Sequence, residues 1–298
     1  LDMLGINKLN VFSFTILFVI LFGMLLIYLI LKHNYQKTEY YQATHFPYYK
    51  LFNDTGRLGE YYTFKYLSPL KGYKRFLFNC YVPKEAGTDT EIDVIMLHES
   101  GIYVFESKNY SGWIFGTENQ KQWTQTLPSG RNRSKKSYFF NPIMQNKGHI
   151  KWLKAYLNEG DEFPFYSYIV FSDRCELKNV TLTSQEHYVV NRYNLLRSVS
   201  HNASISGVCL THQQIDGIYN LLIAQTQVSD EVKKAHVETI RKTYYETSKE
   251  KSYKTERICP RCGSSLVIRT SKKGVHAGEQ FYGCSNFPSC RYMEKLDK

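Results

Sequence analysis

The sequence has fewer acidic than basic residues, has no internal repeat and contains only one long apolar run. Hydrophobic residues make up 43% and charged residues 22%, which excludes a mainly disordered chain. One apolar run is also too few for a polytopic membrane protein. Because 38 Lys and Arg stand against 27 Asp and Glu, the formal net charge is +11. A basic surface of this size favours polyanions, meaning nucleic acid or anionic lipid, as partners.

Cysteines are scarce outside the C-terminal end. The chain has seven, and Cys80, Cys175 and Cys209 show no ligand spacing, so we expect them to be ordinary small apolar side chains. The other four lie in the last 40 residues. That clustering indicates a metal site rather than a disulfide framework.

The apolar run from Val11 to Leu31 has no charged side chain over 21 residues. At 1.5 Å per residue it spans about 30 Å, the thickness of the hydrocarbon core of a bilayer. The alternatives are a signal peptide, which would be shorter and end in an A-x-A cleavage pattern, and a core helix, which would carry a polar stripe. Neither feature is present, so we expect an uncleaved transmembrane helix.

Basic residues follow this run rather than precede it. Lys8 is balanced by Asp2, whereas Lys32, Lys37 and Lys50 all lie on the C-terminal side. The positive-inside rule therefore predicts a single-pass membrane protein with its N-terminus outside and its soluble domains in the cytoplasm.

Composition divides the chain into six segments. We expect an N-terminal tail (1–10), a transmembrane helix (11–31), a Tyr-rich juxtamembrane linker (32–52), one large domain (53–227), a helical and charged linker (228–257) and a C-terminal metal module (258–298).

The large domain alternates helix and strand signals. Asp54 or Thr55 can cap a first helix, and Asn141-Pro142 is typical of a helix start. Apolar strand candidates lie at 75–82, 91–97, 102–108, 165–171 and 187–190, and a capping box at Thr211 opens a further helix. The prediction is an α/β domain with a mixed central sheet flanked by helices.

The segment from Thr90 to Gly112 contains two apolar strands around a turn. If Leu97 pairs with Ile102, Asp93 falls opposite Glu106, and Lys108 lies on the same face. The neighbours Ile92, Val94, Tyr103 and Phe105 would face the other way.

Two carboxylates this close repel each other unless a cation neutralises them. Mg²⁺ binds one or two carboxylates and keeps water and phosphate oxygens as its other ligands. Lys108 would then hold an attacking water and offset charge on the phosphate. The alternative is a solvated strand face, because Glu-x-Lys alone is common.

These residues resemble a known pattern. Glu60, Asp93 and Glu106-Ser107-Lys108 resemble the PD-(D/E)xK nucleases, and the surrounding sequence resembles their nuclease-related domain (NERD) branch. The segments that carry the likeness are Gly56-Arg57-Leu58-Gly59-Glu60, Thr90-Glu91-Ile92-Asp93, Phe105-Glu106-Ser107-Lys108-Asn109 with Gly112, and Asn141-Pro142 with Gln145. Ile92 replaces the proline of the motif.

The resemblance implies a restriction-endonuclease-like core and a Mg²⁺ (or Mn²⁺) site. Asp93 and Glu106 would be the metal ligands, and Lys108 the catalytic lysine. Glu60 would be an auxiliary acid from the first helix, and Gln145 would orient substrate or water.

Other residues near this region remain open. Arg131, Arg133, Lys135 and Lys136 form a basic loop, which is either solvated or in contact with a nucleic-acid backbone. We expect Trp113 and Trp123 to be packing residues.

The C-terminal cysteines have the spacing of a zinc site. Cys259, Cys262, Cys284 and Cys290 are separated by two, 21 and five residues, as in a tetrahedral Cys₄ site. So small a module has little core, and metal binding would supply much of its folding free energy.

The segments Cys259-Pro260-x-Cys262-Gly263, Leu266-Val267-x-Arg269 and Gly283-Cys284-Ser285-Asn286-Phe287-Pro288-x-Cys290 resemble the topoisomerase-type C4 zinc finger. The resemblance implies DNA binding, to single strands. Aromatic side chains would stack on bases and basic ones would follow the backbone. These candidates are Phe281, Tyr282, Phe287, Tyr292, Arg269, Lys272, Lys273 and Arg291.

The sequence thus supports two main hypotheses. The first is a membrane-anchored, metal-dependent DNA nuclease that holds DNA with a zinc ribbon. The second is a catalytically silent membrane tether for DNA that keeps the nuclease fold. A third, less favoured hypothesis is a basic scaffold that binds anionic lipid with no preference for DNA. No topoisomerase catalytic domain fits in the remaining residues, so we expect no strand passage.

Overall fold

The computed structural model describes residues 8–85, 87–128, 130, 134–158, 162–228, 231, 238, 259–271 and 278–295, with side chains from residue 13 onward. The chain divides into two compact units, Leu1–His236 and Val237–Lys298. The predicted linker 228–257 lies outside the described residues except at 228, 231 and 238.

Three helices open the first unit: α1 (Lys8–Gln36), α2 (Glu39–Thr44) and α3 (Tyr48–Leu51). The segment 32–52, expected to be a linker, is folded against the domain. Tyr35, Tyr40 and Leu51 are all buried in its core. Because tyrosine rings bury large apolar areas, this aromatic-rich segment packs rather than remaining solvated.

The elements predicted for the domain core are confirmed. They are α4 (Thr55–Leu67), β1 (Lys74–Pro83), β2 (Asp89–His98), β3 (Gly101–Lys108), and, after an insertion, α5 (Pro142–Leu157) and β7 (Phe165–Phe171). Asp54 caps α4 by accepting a hydrogen bond from the Arg57 amide at 3.0 Å, and Asn141 caps α5.

The insertion contains β4 (Gly112–Thr117), β5 (Gln122–Pro128) and β6 (Ser134–Phe140). The elements after β7 are β8 (Cys175–Thr181), β9 (His187–Asn191), α6 (Arg192–Ser206) and α7 (His212–Leu222), followed by a 3₁₀ turn at Ile223–Thr226. The sequence predicted none of the inserted strands, because exposed and partly buried side chains interrupt their apolar positions.

The first sheet has the strand order β1-β2-β3-β7-β9. Its first three strands are antiparallel, and β3, β7 and β9 are parallel. Helices cover both faces: α2, α4 and α6 pack on one side, and α5 and α7 on the other. This is the predicted α/β class, a mixed sheet flanked by helices as in restriction-endonuclease-like cores.

The second sheet has the order β6-β5-β4-β8. Its inner face packs Ile114, Trp123 and Phe139 against Ile143 of α5 and Phe171 of β7. The packing role predicted for the tryptophans is therefore right for Trp123. It is wrong for Trp113, which is 40% exposed because the outer face of this sheet has no covering layer in the described residues.

The hairpin register is as predicted, since Leu97 pairs with Ile102 and Val94 with Phe105. One prediction of side-chain direction is wrong. Val94 packs in the core on the side of α2, α4 and α6, whereas Ile92 packs in the core on the side of α5 and α7. The strand alternation breaks beside Asn79, which has a positive φ of 52° between the paired residues of β1.

The second unit is a small antiparallel sheet of β10 (Leu266–Thr270), β11 (Gln280–Cys284) and β12 (Met293–Lys295). Its core consists of Leu266 and the buried cysteines, with Tyr282 and Tyr292 packed against them.

The close approach of α4 to β3 depends on Gly59. A Cβ there would lie 2.7 Å from Ser107 Oγ and 3.3 Å from Asn109 Cβ. We expect Gly59→Ala to lower the free energy of unfolding by about 1–3 kcal/mol through overpacking, measured by urea denaturation of the detergent-solubilised chain.

Gly56→Ala is the matched control on the same helix, because the nearest atom to its added Cβ is Asp54 Oδ1 at 3.5 Å. It should be neutral or stabilising by up to about 1 kcal/mol. Equal effects of the two substitutions would contradict this view of the helix contact.

Candidate functional site

Asp93 lies just beyond the last backbone pair between β2 and β3, where its side chain contacts β3 instead. The last pair on this side is Val94 with Phe105, and beyond it Asp93 Oδ2 accepts a hydrogen bond from the Ser107 amide at 2.8 Å. The carboxylate thus takes the place of a backbone acceptor. This contact brings Asp93 close to Glu106, the residue before Ser107, as the register predicts.

Glu106 is buried, and both of its carboxylate oxygens are engaged. Lys108 Nζ lies 2.6 Å from Oε1, and His149 Nε2 lies 3.0 Å from Oε2. Lys108 also donates to Gln145 Oε1 at 3.2 Å, which brings the predicted orienting residue of α5 to the lysine. Glu106, Lys108 and Gln145 therefore form one connected group.

His149 is a member of this group that sequence reasoning missed. Its Nδ1 lies 2.8 Å from Thr90 Oγ1, and because a carboxylate only accepts hydrogen bonds, Nε2 must carry the proton donated to Glu106. Its spacing could have placed it on the Gln145 face of α5, since His149 follows Gln145 by four residues, but it does not indicate Glu106 as its partner.

Glu60 of α4 is buried beside this group. A single oxygen, Oε2, accepts hydrogen bonds from Asn79 Nδ2 at 2.8 Å, Arg57 Nη1 at 3.2 Å and Tyr40 OH at 3.2 Å. Tyr40 belongs to α2, ahead of the predicted start of the domain, so that the supposed linker contributes directly to the setting of a candidate site residue.

Asp93, Glu106 and Lys108 lie close enough that the charge of each shifts the pKa of the others. Burial and the nearby Glu106 and Glu60 carboxylates raise the pKa of Asp93 well above its usual range, although Lys108 opposes this. Burial also acts against ionised Glu106, but Lys108 and His149 outweigh it and lower the pKa of Glu106. Burial lowers the pKa of Lys108, yet Glu106 and Asp93 raise it overall, so the lysine stays charged.

The donor set fits a divalent cation with few protein ligands. Asp93 and Glu106 supply two carboxylates, and no group of three or more metal-ligating side chains is found around them in the described residues. A cation here would therefore complete its coordination shell with water and phosphate oxygens, as Mg²⁺ usually does in proteins. The ion pair of Lys108 with Glu106 already neutralises one of the two carboxylates.

The basic loop is only partly described. Lys135 and Lys136 are exposed residues of β6, the edge strand of the second sheet. Arg131 and Arg133 lie outside the described residues.

The four C-terminal cysteines converge. Their sulfur atoms all lie within 4.8 Å of one another, with Cys259 and Cys290 at 3.7 Å and Cys262 and Cys284 at 3.4 Å. Four sulfurs bound to one Zn²⁺ at 2.3 Å would lie about 3.8 Å apart. The set fits zinc, and the left-handed turn that it needs is supplied by Gly263, with φ +72°.

The zinc-ribbon sheet separates its candidate DNA-binding residues. Arg269 pairs with Phe281, and Phe281 with Lys295, on one face, where the Arg269 guanidinium also lies 5.5 Å from the Phe287 ring. An open cleft of about 1080 Å³ runs along these residues and also contacts Arg291 and Tyr292. Tyr282 instead packs against the cysteine core, and Lys272 and Lys273 lie outside the described residues.

We expect the purified chain to hold one equivalent of zinc. Cys290→Ser should lose it, because a structural site needs all four thiolates. Cys209→Ser, which removes an exposed thiol of the first unit, should keep the full equivalent. Metal analysis by mass spectrometry measures both, and a full equivalent in the Cys290 variant would contradict the site.

Comparison with known proteins gives two family matches. Residues 55–172 match the nuclease-related domain, and residues 256–298 match the topoisomerase DNA-binding C4 zinc finger. An uncharacterized protein of Bacillus anthracis is 33% identical over 183 residues, which cover 61% of this chain and 82% of that protein.

DNA topoisomerase 1 of Methanocaldococcus jannaschii is 51% identical over 43 residues, which are 14% of this chain and 5% of that enzyme. An uncharacterized Escherichia coli protein is 47% identical over 38 residues, 13% of this chain and 18% of its own length. No solved structure matches the chain. The chain therefore belongs to the nuclease-related domain family and ends in a C4 zinc finger similar to the DNA-binding fingers of topoisomerases.

Proposed function

We propose that this protein is a membrane-anchored, Mg²⁺-dependent DNA nuclease that holds its substrate with a C-terminal zinc ribbon. The observation that carries the proposal is the convergence of Asp93, Glu106 and Lys108 at one end of the β2–β3 hairpin. The match to the nuclease-related domain supports the identity of this domain. The buried charges of Asp93, Glu106 and Lys108, which affect one another, support metal-dependent chemistry at the site.

The chain's own residues have distinct roles in this proposal. Asp93 and Glu106 would hold the cation, which supplies Lewis-acid polarisation of the scissile phosphate when bound. Lys108 would orient the attacking water and stabilise negative charge on the phosphate. Gln145 accepts a hydrogen bond from Lys108 and would fix its position, while Thr90 and His149 fix Glu106.

One observation favours a second candidate, the catalytically silent DNA tether. Both oxygens of Glu106 are already bound, one by Lys108 at 2.6 Å and the other by His149 at 3.0 Å. A cation would have to share these oxygens, and a lysine that never left Glu106 would keep the site inactive.

Nicking of plasmid DNA by the full chain in detergent distinguishes the two candidates. We expect Mg²⁺-dependent nicking that Lys108→Ala and Asp93→Ala each reduce by about 100-fold or more, since charge stabilisation and proton transfer at such sites contribute at least that much. Lys65→Ala, which removes an exposed lysine in the last turn of α4, is the control and should nick normally.

DNA binding by the same variants, measured by fluorescence anisotropy, should be unchanged. If the wild-type chain binds DNA but nicks neither single strands, duplex nor RNA with Mg²⁺ or Mn²⁺, the silent tether is the correct function.

The zinc ribbon would bind the DNA. Its cleft combines the cations Arg269, Arg291 and Lys295 with the rings of Phe281 and Phe287, of which Phe287 is exposed. Rings and guanidinium groups side by side suit stacked bases and backbone phosphates of a single strand. The match of residues 256–298 to the topoisomerase DNA-binding C4 zinc finger supports DNA as the partner of this cleft.

The anchor would be α1. Its segment Ser13–Gln36 contains an 18-residue window with a mean hydropathy of 2.9, and that window is not buried by protein, which by length and composition suits a membrane span. The Tyr28 ring lies 5.7 Å from Tyr48 of α3, so that the folded domain would lie directly at the membrane surface. Lys32, Lys37 and Lys50 near this end favour the cytoplasmic side.

Cell fractionation tests the anchor. We expect the chain in the membrane pellet, resistant to high salt and released by detergent, whereas Leu21→Lys with Leu25→Lys should move it to the soluble fraction, because a charge at a helix centre costs about 3 kcal/mol. Leu221→Lys, at an exposed apolar side chain of α7, is the matched control and should stay in the pellet.

The exposed thiol of Cys209 tests the orientation. A membrane-impermeant maleimide should label it only after the cells are permeabilised, with Cys209→Ser as the blank. Labelling in intact cells would place the domain outside.

A further inference from the structure

The outer face of the second sheet carries three exposed aromatic side chains. Trp113 of β4 is 40% exposed, and Tyr138 and Phe140 of β6 are 59% and 42% exposed. On the inner face of the same sheet, Trp123 and Phe139 are buried in the core. Packing in the core therefore does not explain why these three positions are aromatic. The three rings also lie together on one surface rather than scattered over the domain.

The register fixes how these side chains are arranged. Trp113 pairs with Thr126, which pairs with Lys136, and Phe115 pairs with Thr124, which pairs with Tyr138. Because β5 lies between β4 and β6, the two aromatic rows are about 10 Å apart, separated by the small threonines. The face therefore carries rings on both outer strands and a lysine on one of them.

The charges on this outer face suit an anion. Lys136 is exposed on the same rung as Trp113, and the chain as a whole carries +11. The acidic neighbour on β8, Glu176, is held by Lys178 at 2.9 Å. Rings that offer flat apolar faces beside a cation can stack unpaired bases while the cation contacts a phosphate. Bases inside a duplex cannot present their faces in this way.

We propose that the outer face of the second sheet, formed by Trp113, Tyr138, Phe140 and Lys136, binds single-stranded nucleic acid by base stacking. The face belongs to the same unit as Asp93 and Glu106, and β6 leads through Asn141 into α5, which carries Gln145. It deepens the proposed function by adding an unpaired strand to the forms of nucleic acid that the nuclease-related unit would hold, and it rests on nucleic-acid binding rather than on cleavage.

Tryptophan emission provides a local readout. All three tryptophans, Trp113, Trp123 and Trp152, lie in the first unit and none in the zinc ribbon, so quenching reports binding to the first unit alone. The experiment uses the full zinc-loaded chain in detergent, without added divalent cation, and a short oligodeoxythymidylate as the probe.

We expect the oligonucleotide to quench emission and Trp113→Leu to remove that quenching. Tyr138→Ala and Phe140→Ala should each raise the Kd measured by quenching about fivefold or more, the effect of losing one stacked base. Tyr193→Ala, at an exposed ring on α6, is the control and should leave the Kd unchanged. Unchanged thermal unfolding of the variants shows that the sheet remains folded.

Three results would overturn the inference. They are DNA binding seen by anisotropy without any quenching of Trp113, equal quenching by a blunt duplex, and quenching by phosphatidylglycerol vesicles but not by the oligonucleotide. Absence of nicking in a chain that still shows the quenching refutes the nuclease but not this face, so the two failures are distinguishable.

Discussion

The buried carboxylate of Glu106 is the constraint on which the candidate site depends. An ionised carboxylate inside a protein must be paired and hydrogen-bonded, and here Lys108 and His149 each take one oxygen. Since Lys108 also reaches Gln145 and His149 reaches Thr90, strands β2 and β3 and helix α5 are tied together at one point. The same contacts that stabilise the core therefore bring together the groups that would act on a phosphate.

A second buried acid connects this site to the N-terminal helices. Glu60 accepts hydrogen bonds from Arg57, Asn79 and Tyr40, and Tyr40 comes from the short helix after α1. Tyr35 at the end of α1 packs against Tyr40 and Tyr61 in the same core. The proposed membrane anchor would therefore be continuous with the folded domain, and it would hold the domain at a fixed position relative to the bilayer rather than on a flexible tether.

Within the described residues, three surfaces have side chains suited to nucleic-acid recognition, and each would use them differently. The paired carboxylates with Lys108 would act on the backbone, the zinc-ribbon cleft combines rings with arginines, and the outer face of the second sheet combines rings with Lys136. The ribbon depends on zinc for its core, since four cysteines take the place of a larger apolar interior. The sheet depends on ordinary packing through Trp123 and Phe139.

Sequence alone determined the hairpin register, the helix caps at Asp54 and Asn141, and the convergence of four cysteines, because these follow from local periodicity, capping and spacing. It could not find His149 or Tyr40 as partners of Glu106 and Glu60, since those hydrogen bonds join residues 43 and 20 positions apart. Nor could it show that Trp113 is exposed while Trp123 is buried. Two tryptophans ten residues apart look alike in sequence, and only the stacking of one sheet face on α5 and β7 decides which of them meets solvent.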